Sequence, residues 1–403
     1  MEKLHLPSDK ILKQAITEIK EPVLFQGMLQ DATGAYTWKL LEWDLPKLTE
    51  MFGNVKLPFR VGYNTKTIGP QWEVNCLMTS MTLSELLKNI DHDQQIKKWY
   101  YFDYKHMQEW FQDKPQIIDS VNWKRFGFEK TGSDSTLWIG SKGAHTNCHQ
   151  DSYGCNLVAQ IHGRKQWLLF PPSSSNCLQP TRVPYEESTV YSKYNFFCPT
   201  KEDEINILKI QDNARLITLE AGDVLFVPHG WWHYVESLEF SVSVNVWLPI
   251  ITDNVSRVKE AIVKLIVARI GKNVQTSEET HCSLSYCMQL LSMALEECQN
   301  MENAETSHKT MQHNAWTAEV LAAQYPHYVK LLRELKAPEL EEFLRIRRER
   351  FLESSVESLA DTTSDSDSNI KNFSAIQKLS ENIVNAICQP DVINKVADLL
   401  LSL

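Results

Sequence analysis

The chain has no C-x-x-C pair, no run of eighteen apolar residues, no excess of positive charge and no internal repeat. Each absence removes a class of protein. Nine cysteines, an odd number, suggest neither a disulfide framework nor a structural zinc site, and a reduced compartment is the simplest setting for them. Without a long apolar run no transmembrane span is expected. The most apolar candidate, Val255 to Ile270, is broken by Arg257, Lys259, Glu260, Lys264 and Arg269. The opening MEKLHLPSDKILKQAITEIKEP lacks the apolar core of a signal peptide and reads as a short amphipathic helix. The expected location is the cytoplasm, with nuclear access open. A formal net charge of -10 argues against generic nucleic-acid binding, which needs basic surface to meet phosphate.

What is present is a core. Of 403 residues 43% are hydrophobic, with 12 Trp, 13 Tyr and 15 Phe, enough for one to three packed domains. Residues 1–120 mix short helical and extended patterns and read as an α/β segment packed on the strand-rich region after it. Within it EPVLF, from Glu21 to Phe25, reads as a strand. Thr82 with Glu85 three residues later reads as a capping box opening a helix over TLSELLKNI. Residues 121–252 change character. Ser135 to Gly140, Asn156 to Ile161, Lys165 to Phe170, Leu216 to Leu219, Val224 to Val227 and Ser241 to Leu248 read as short strands, with turns at His162-Gly163-Arg164 and Ala221-Gly222-Asp223. Residues 253–352 show helical spacing over Asn254–Ile270, Leu284–Gln299, Ala315–Leu335 and Glu339–Leu352. Residues 353–375 are rich in Ser, Thr and Asp and read as a disordered acidic linker. Helical spacing returns over 376–403.

Two motifs carry chemistry. In His149-Gln150-Asp151, residues i and i+2 of an extended segment point the same way, so an imidazole and a carboxylate can grip one ion. In EAGDVLFVPHGWWHYVE, a turn, a buried strand and a Pro-Gly corner deliver His233 on a second strand beside two tryptophans. Two histidines and one carboxylate form the facial triad of non-haem Fe(II) oxygenases. Three open positions then suit a chelating 2-oxo acid and O2, whereas a fourth protein ligand would mark a closed structural site. His145 and His229 lie near enough in sequence to be considered as ligands. A 2-oxo dicarboxylate also needs its far carboxylate held. Lys165, in IHGRKQWLLF, sits on an apolar strand and demands an anionic partner, while Arg164 falls in the turn and points outward. On SVSVNVWL the face Ser241, Ser243, Asn245, Trp247 opposes Val242, Val244, Val246. Asn245 either donates to a ligand or bonds backbone, and Asn156 is similar.

GAHTNCHQDSYGCNLVAQIHGRKQWLLFPP and AGDVLFVPHGWWHYVES resemble the cupin-8 branch of the JmjC family. STLWIGSKGAHT and LQPTRVPYEESTVYSKYN further resemble a member associated with small heat-shock proteins. The resemblance covers residues 135–248. It implies an α+β fold: a double-stranded β-helix (jelly-roll, cupin) core with N-terminal α/β elements and a C-terminal helical region. It places the metal ligands at His149, Asp151 and His233, and 2-oxoglutarate contacts at Thr146, Asn156, Lys165 and Asn245. The gap Ser152 to Cys155 is one residue longer than the family pattern. The implied activity is an Fe(II)- and 2-oxoglutarate-dependent dioxygenase that hydroxylates a protein side chain, with an RNA base second and histone demethylation behind both. The rival reading is an interaction protein of this fold that binds a small heat-shock protein in stress responses with little or no catalysis. No membrane partner is expected, and a homodimer through the C-terminal helices is.

Overall fold

A computed structural model of the chain describes residues 6–31, 33–92, 97–210, 213–270, 283–305, 316–351 and 368–402, with backbone alone at 92, 301–305 and 368–375. The first helix, α1 (Asp9–Glu18), starts where Ser8 caps it, accepting from the Ile11 amide at 3.3 Å, and buries Leu12, Ala15 and Ile16 on one face. The Thr82/Glu85 capping box forms as its spacing predicts. The Glu85 amide donates to Thr82 Oγ1 at 3.2 Å and the Thr82 amide to the Glu85 carboxylate at 2.7 Å, opening α2 (Leu83–His92).

The strands, in chain order, are β1 (Val23–Phe25), β2 (Leu57–Tyr63), β3 (Leu77–Met81), β4 (Lys98–His106), β5 (Thr136–Gly140), β6 (His145–Asp151), β7 (Cys155–His162), β8 (Lys165–Phe170), β9 (Pro180–Thr181), β10 (Thr189–Ser192), β11 (Arg215–Leu219), β12 (Val224–Val227), β13 (Trp232–Ser237), β14 (Ser241–Leu248) and β15 (Val329–Leu331). They form two antiparallel sheets, ordered β15-β1-β12-β7-β14-β5-β4-β2-β3 and β11-β8-β13-β6-β10-β9. The double-stranded β-helix is the facing pair of four-stranded segments β12-β7-β14-β5 and β11-β8-β13-β6. The overall class is α+β, as expected. The His162-Gly163-Arg164 turn needs its glycine: φ is +61° and a Cβ would sit 2.0 Å from the Phe240 carbonyl oxygen.

Beyond the barrel, α3 (Asp253–Ile270), α4 (Leu284–Glu305), α5 (Ala318–Gln324), α6 (Ala337–Glu349), α7 (Ser368–Ile387) and α8 (Pro390–Leu401) follow. They divide in two. Helices α3, α4, α7 and α8 share an apolar cluster that includes Val258, Ile262, Leu291, Val384, Ile393 and Ala397. The α5-β15-α6 stretch packs back on the barrel, with Leu321 and Val329 in the main core and Leu340 and Leu344 beside Phe170 and Trp232.

Two expectations need correction. Ala315–Leu335 is not one helical stretch. The residue before Pro326 is sterically disfavoured in the helical region, Tyr325 leaves it (φ -129°, ψ 56°), and β15 then pairs with the open edge of β1. The acidic linker expected to run to residue 375 ends earlier, because α7 starts at Ser368, where Ile370, Phe373 and Ile376 begin a helical repeat. Its part at 353–367 lies outside the described residues. Among the described residues eight cysteines are free, and no helix is long and apolar enough to cross a membrane.

Candidate metal and 2-oxo acid site

The two ligand strands lie side by side. β13 pairs with β6 so that His233 is the cross-strand partner of His149, and the ladder shifts register between His233 and Val235. The two imidazole centroids are 4.1 Å apart. Asp151 follows two residues after His149 on the same face, its Oδ1 3.6 Å from His149 Nε2. One ligand atom from each of the three falls within 4.8 Å of the others, and no other such group occurs among the described residues.

Hydrogen bonds decide which atoms face the cavity. His149 Nδ1 lies 2.8 Å from the Asn147 carbonyl and His233 Nδ1 3.0 Å from the Trp231 carbonyl. A carbonyl only accepts, so each Nδ1 carries a proton and each Nε2 is left to face the cavity, that of His149 near Tyr104 Oη. Burial, and then the neighbouring His233, push the His149 pKa down to about 4, so this imidazole is neutral at neutral pH. Trp247 Nε1 donates to Asp151 Oδ2 at 3.0 Å, which leaves Oδ1 toward the histidines. Two imidazole nitrogens and one carboxylate oxygen on one side of a cavity fit a divalent transition metal with open positions opposite. His145 and His229 stand apart from the trio. His145 donates to the Gly143 carbonyl at 2.9 Å and stacks on Phe197, and His229 bonds the Gly154 carbonyl at 3.2 Å.

The cavity, about 370 Å³, is also lined by Thr146, Asn156, Lys165 and Asn245. Lys165 is 2% exposed. Its ammonium donates to Ser243 Oγ at 2.9 Å and Tyr101 Oη at 3.3 Å and lies over the Tyr101 and Trp138 rings. Among the described residues no carboxylate pairs with it, and burial, against the attraction of Asp103, pushes its pKa down to about 7. Arg164 points outward to Glu239 at 3.0 Å, as strand alternation predicts.

The two asparagines form a chain with a fixed sense. Trp138 Nε1 can only donate, and it reaches Asn245 Oδ1 at 2.7 Å. Asn245 Nδ2 therefore donates to Asn156 Oδ1 at 2.9 Å, and the Asn156 amide NH2 is left toward the cavity. Asn245 thus positions Asn156. Within the protein its side chain bonds side chains, Trp138 and Asn156.

Sequence reasoning missed Tyr101, Tyr104, Trp138 and Trp167, which line the same cavity. Tyr104 Oη lies 3.5 Å from His149 Nε2. Both tyrosines stand on β4, outside 121–252, and reach the site because β4 pairs with β5, Tyr101 opposite Gly140. The aromatic run WYYFDY, from Trp99 to Tyr104, was the available signal.

A family model described as Cupin-like domain matches residues 8–254. The chain is 39% identical over 288 residues to HSPB1-associated protein 1 of Homo sapiens, covering 68% of this chain and 57% of that protein. It is 38% identical over 312 residues to the HSPB1-associated protein 1 homolog of Danio rerio, covering 72% of this chain and 67% of that one. It is 32% identical over 119 residues to the 2-oxoglutarate and iron-dependent oxygenase JMJD4 of Gallus gallus, covering 27% and 25%. The chain thus spans little more than half the human relative. With the domain match running through the jelly roll and ending just past β14, the chain belongs to the cupin-like JmjC family.

Proposed function

We propose that the chain is an Fe(II)- and 2-oxoglutarate-dependent oxygenase that hydroxylates a protein side chain. The observation that carries this reading is the meeting, in one cavity, of two imidazoles and a carboxylate with a buried lysine that no carboxylate pairs among the described residues. His149, Asp151 and His233 would hold the iron. Lys165, with Thr146 and Tyr101 beside it, would hold the far carboxylate of 2-oxoglutarate, and the Asn156 amide would donate to the same ligand. When bound, iron and 2-oxoglutarate supply the oxidising power: one atom of O2 enters succinate as CO2 leaves, and the other enters the new hydroxyl. The chain's own residues orient and dry the site. Trp247 fixes the Asp151 carboxylate, Trp231 and Asn147 carbonyls fix the imidazole tautomers, and Trp138, Trp167 and Trp247 exclude water from the walls.

A net charge of -10 favours a protein over an RNA substrate. The cytoplasm is the proposed location. The interaction reading has its own support. The relatives' name ties them to HSPB1, and α7 and α8 expose apolar stripes, Ile376, Leu379, Ile383 and Val392, Val396, Leu399. A small heat-shock protein or a second copy of this chain would cover such stripes.

Thermal denaturation with Mn(II), redox-inert in place of iron, and 2-oxoglutarate tests the proposal. Ligand at one hundred times its Kd adds roughly 2.7 kcal/mol, on the order of 5–10 °C for a chain of this size. The expected shift needs both ligands and vanishes in His233→Ala and Lys165→Ala. No shift in folded wild type sinks the oxygenase reading and leaves the interaction reading standing.

A further inference from the structure

A second cleft, about 840 Å³, opens between the barrel rim and helices α3 and α8, and Asp151 belongs to its wall as well as to that of the metal cavity. The rim contributes Gln150, Ser152 and His229, and the helices contribute Ser256, Lys259 and Asn394. The two walls are locked together beside the site. Glu260 of α3 accepts from Ser152 Oγ at 2.8 Å and pairs with the buried Arg182, which in turn donates to the Thr189 carbonyl at 2.9 Å, on the strand beside β6. Asn385 of α7 accepts from the Arg182 amide at 3.0 Å and from Thr181 Oγ1 at 2.9 Å. The cleft is therefore held in a fixed place relative to Asp151.

Its charges are unevenly served. Arg182 and Glu260 neutralise each other. Lys259, half-buried in the same wall, has no partner among the described residues. His229 donates its Nδ1 proton to the Gly154 carbonyl. The cleft thus offers, among the described residues, one unpaired cation with hydroxyl and amide groups, and it shares Asp151 with the metal cavity.

We propose that this cleft seats the stretch of polypeptide next to the reacting side chain, with an Asp or Glu of that stretch against Lys259. This rests on the oxygenase reading and adds to it the sign of the substrate's flanking charge. A nucleic acid fits less well. Phosphate tracking needs several cations, whereas this cleft has one unpaired cation and two carboxylates, Asp151 and Glu260, in its walls.

The test is fluorescence anisotropy with labelled dodecapeptides of Gly, Ala and Ser that carry paired Asp, Asn or Lys residues at each position in turn. The peptides are titrated into the full chain with and without Mn(II) and 2-oxoglutarate. Asp peptides at a subset of positions should bind wild type at least tenfold more tightly than Lys peptides. Lys259→Glu should invert that preference and Lys259→Gln should level it, both keeping the wild-type circular-dichroism melt. Absence of peptide binding, a charge preference that survives Lys259→Glu, or tighter binding of a uridylate 20-mer that Lys259→Glu abolishes each overturns the proposal. The Mn(II)/2-oxoglutarate shift reports separately. Charge inversion without that shift leaves a peptide cleft and removes the oxygenase; the shift without inversion keeps the oxygenase and removes the cleft.

Discussion

Lys165 in the cavity floor and Arg347 in the seam between α6 and the barrel are both buried cations, and the fold serves them differently. Arg347 meets a carboxylate of its own chain. It pairs with Glu236 of β13, donates to Gln166 Oε1 at 2.9 Å, and lies over the Tyr234 and Phe343 rings. Glu236 takes a second partner in Arg350 at 2.8 Å. Lys165 meets hydroxyls and rings only. An isolated buried charge is costly unless paired. The seam pairs its charge as it folds, whereas the floor has no carboxylate partner among the described residues. Under the proposed function an anion from outside would complete the floor.

The largest expected effect separates these roles by truncation. Glu236→Ala strands Arg347 without its carboxylate and should cost about 3–5 kcal/mol in urea denaturation. Lys165→Met, which removes an unpaired charge at similar volume, should leave the ligand-free protein as stable as wild type or more so. It should also lose the roughly 2.7 kcal/mol that 2-oxoglutarate with Mn(II) adds at one hundred times Kd. If Lys165→Met is as destabilising as Glu236→Ala, the contrast collapses and Lys165 is architectural.

Acid and base should pull the two sites apart next. Burial alone raises the Glu236 pKa, but Arg347 and Arg350 outweigh it and hold it at about 2. Its stabilisation is fully present above the unfolded value near 4.5 and is lost as pH falls toward 2, a loss that Glu236→Gln should not show. Lys165 runs the other way. Burial lowers it from 10.5 to about 7, so between those values the unfolded chain binds more protons and stability rises with pH. In the same window 2-oxoglutarate should bind more weakly as the ammonium of the free protein is lost. Denaturation and binding series over pH 2–10, in wild type and Lys165→Met, check both signs.

A smaller change completes the series. Thr82→Ala removes the cap of α2, far from either cation, and should cost about 1 kcal/mol. The smallest belongs to Arg345, on α6 two residues before Arg347 but exposed, paired with Glu342 and Glu349. Arg345→Met should leave the denaturation midpoint where it is, because solvent already screens that pair. A large loss there would show that the whole helix face, rather than the one buried pair, holds α6 to the barrel.

Much of the barrel was legible because its signals are local. Short apolar or alternating runs located β8, β12 and β14 to the residue, and the split of β14 into Ser243/Asn245/Trp247 and the valines held. The helix caps at Ser8 and Thr82 and the turn at Gly163 are likewise decided within a few residues. Strands β2 to β4 escaped notice, since what makes them strands is pairing across tens of residues, and with them went Tyr101 and Tyr104. The α5-β15 break was written in Pro326, but that Val329–Leu331 becomes a strand depends on the free edge of β1.

By itself, then, the sequence determined which residues carry charge and metal-binding groups and where local periodicity turns the chain, and it singled out His149, Asp151, His233 and Lys165. Tertiary structure alone decided the rest. It set His233 directly across from His149, linked Asn245 to Asn156, gave Arg347 a counter-ion, and among the described residues gave Lys165 and Lys259 none. The physical reason is that whether a buried charge or donor is satisfied depends on which partner the fold brings within about 3 Å, and local sequence carries no record of that distance.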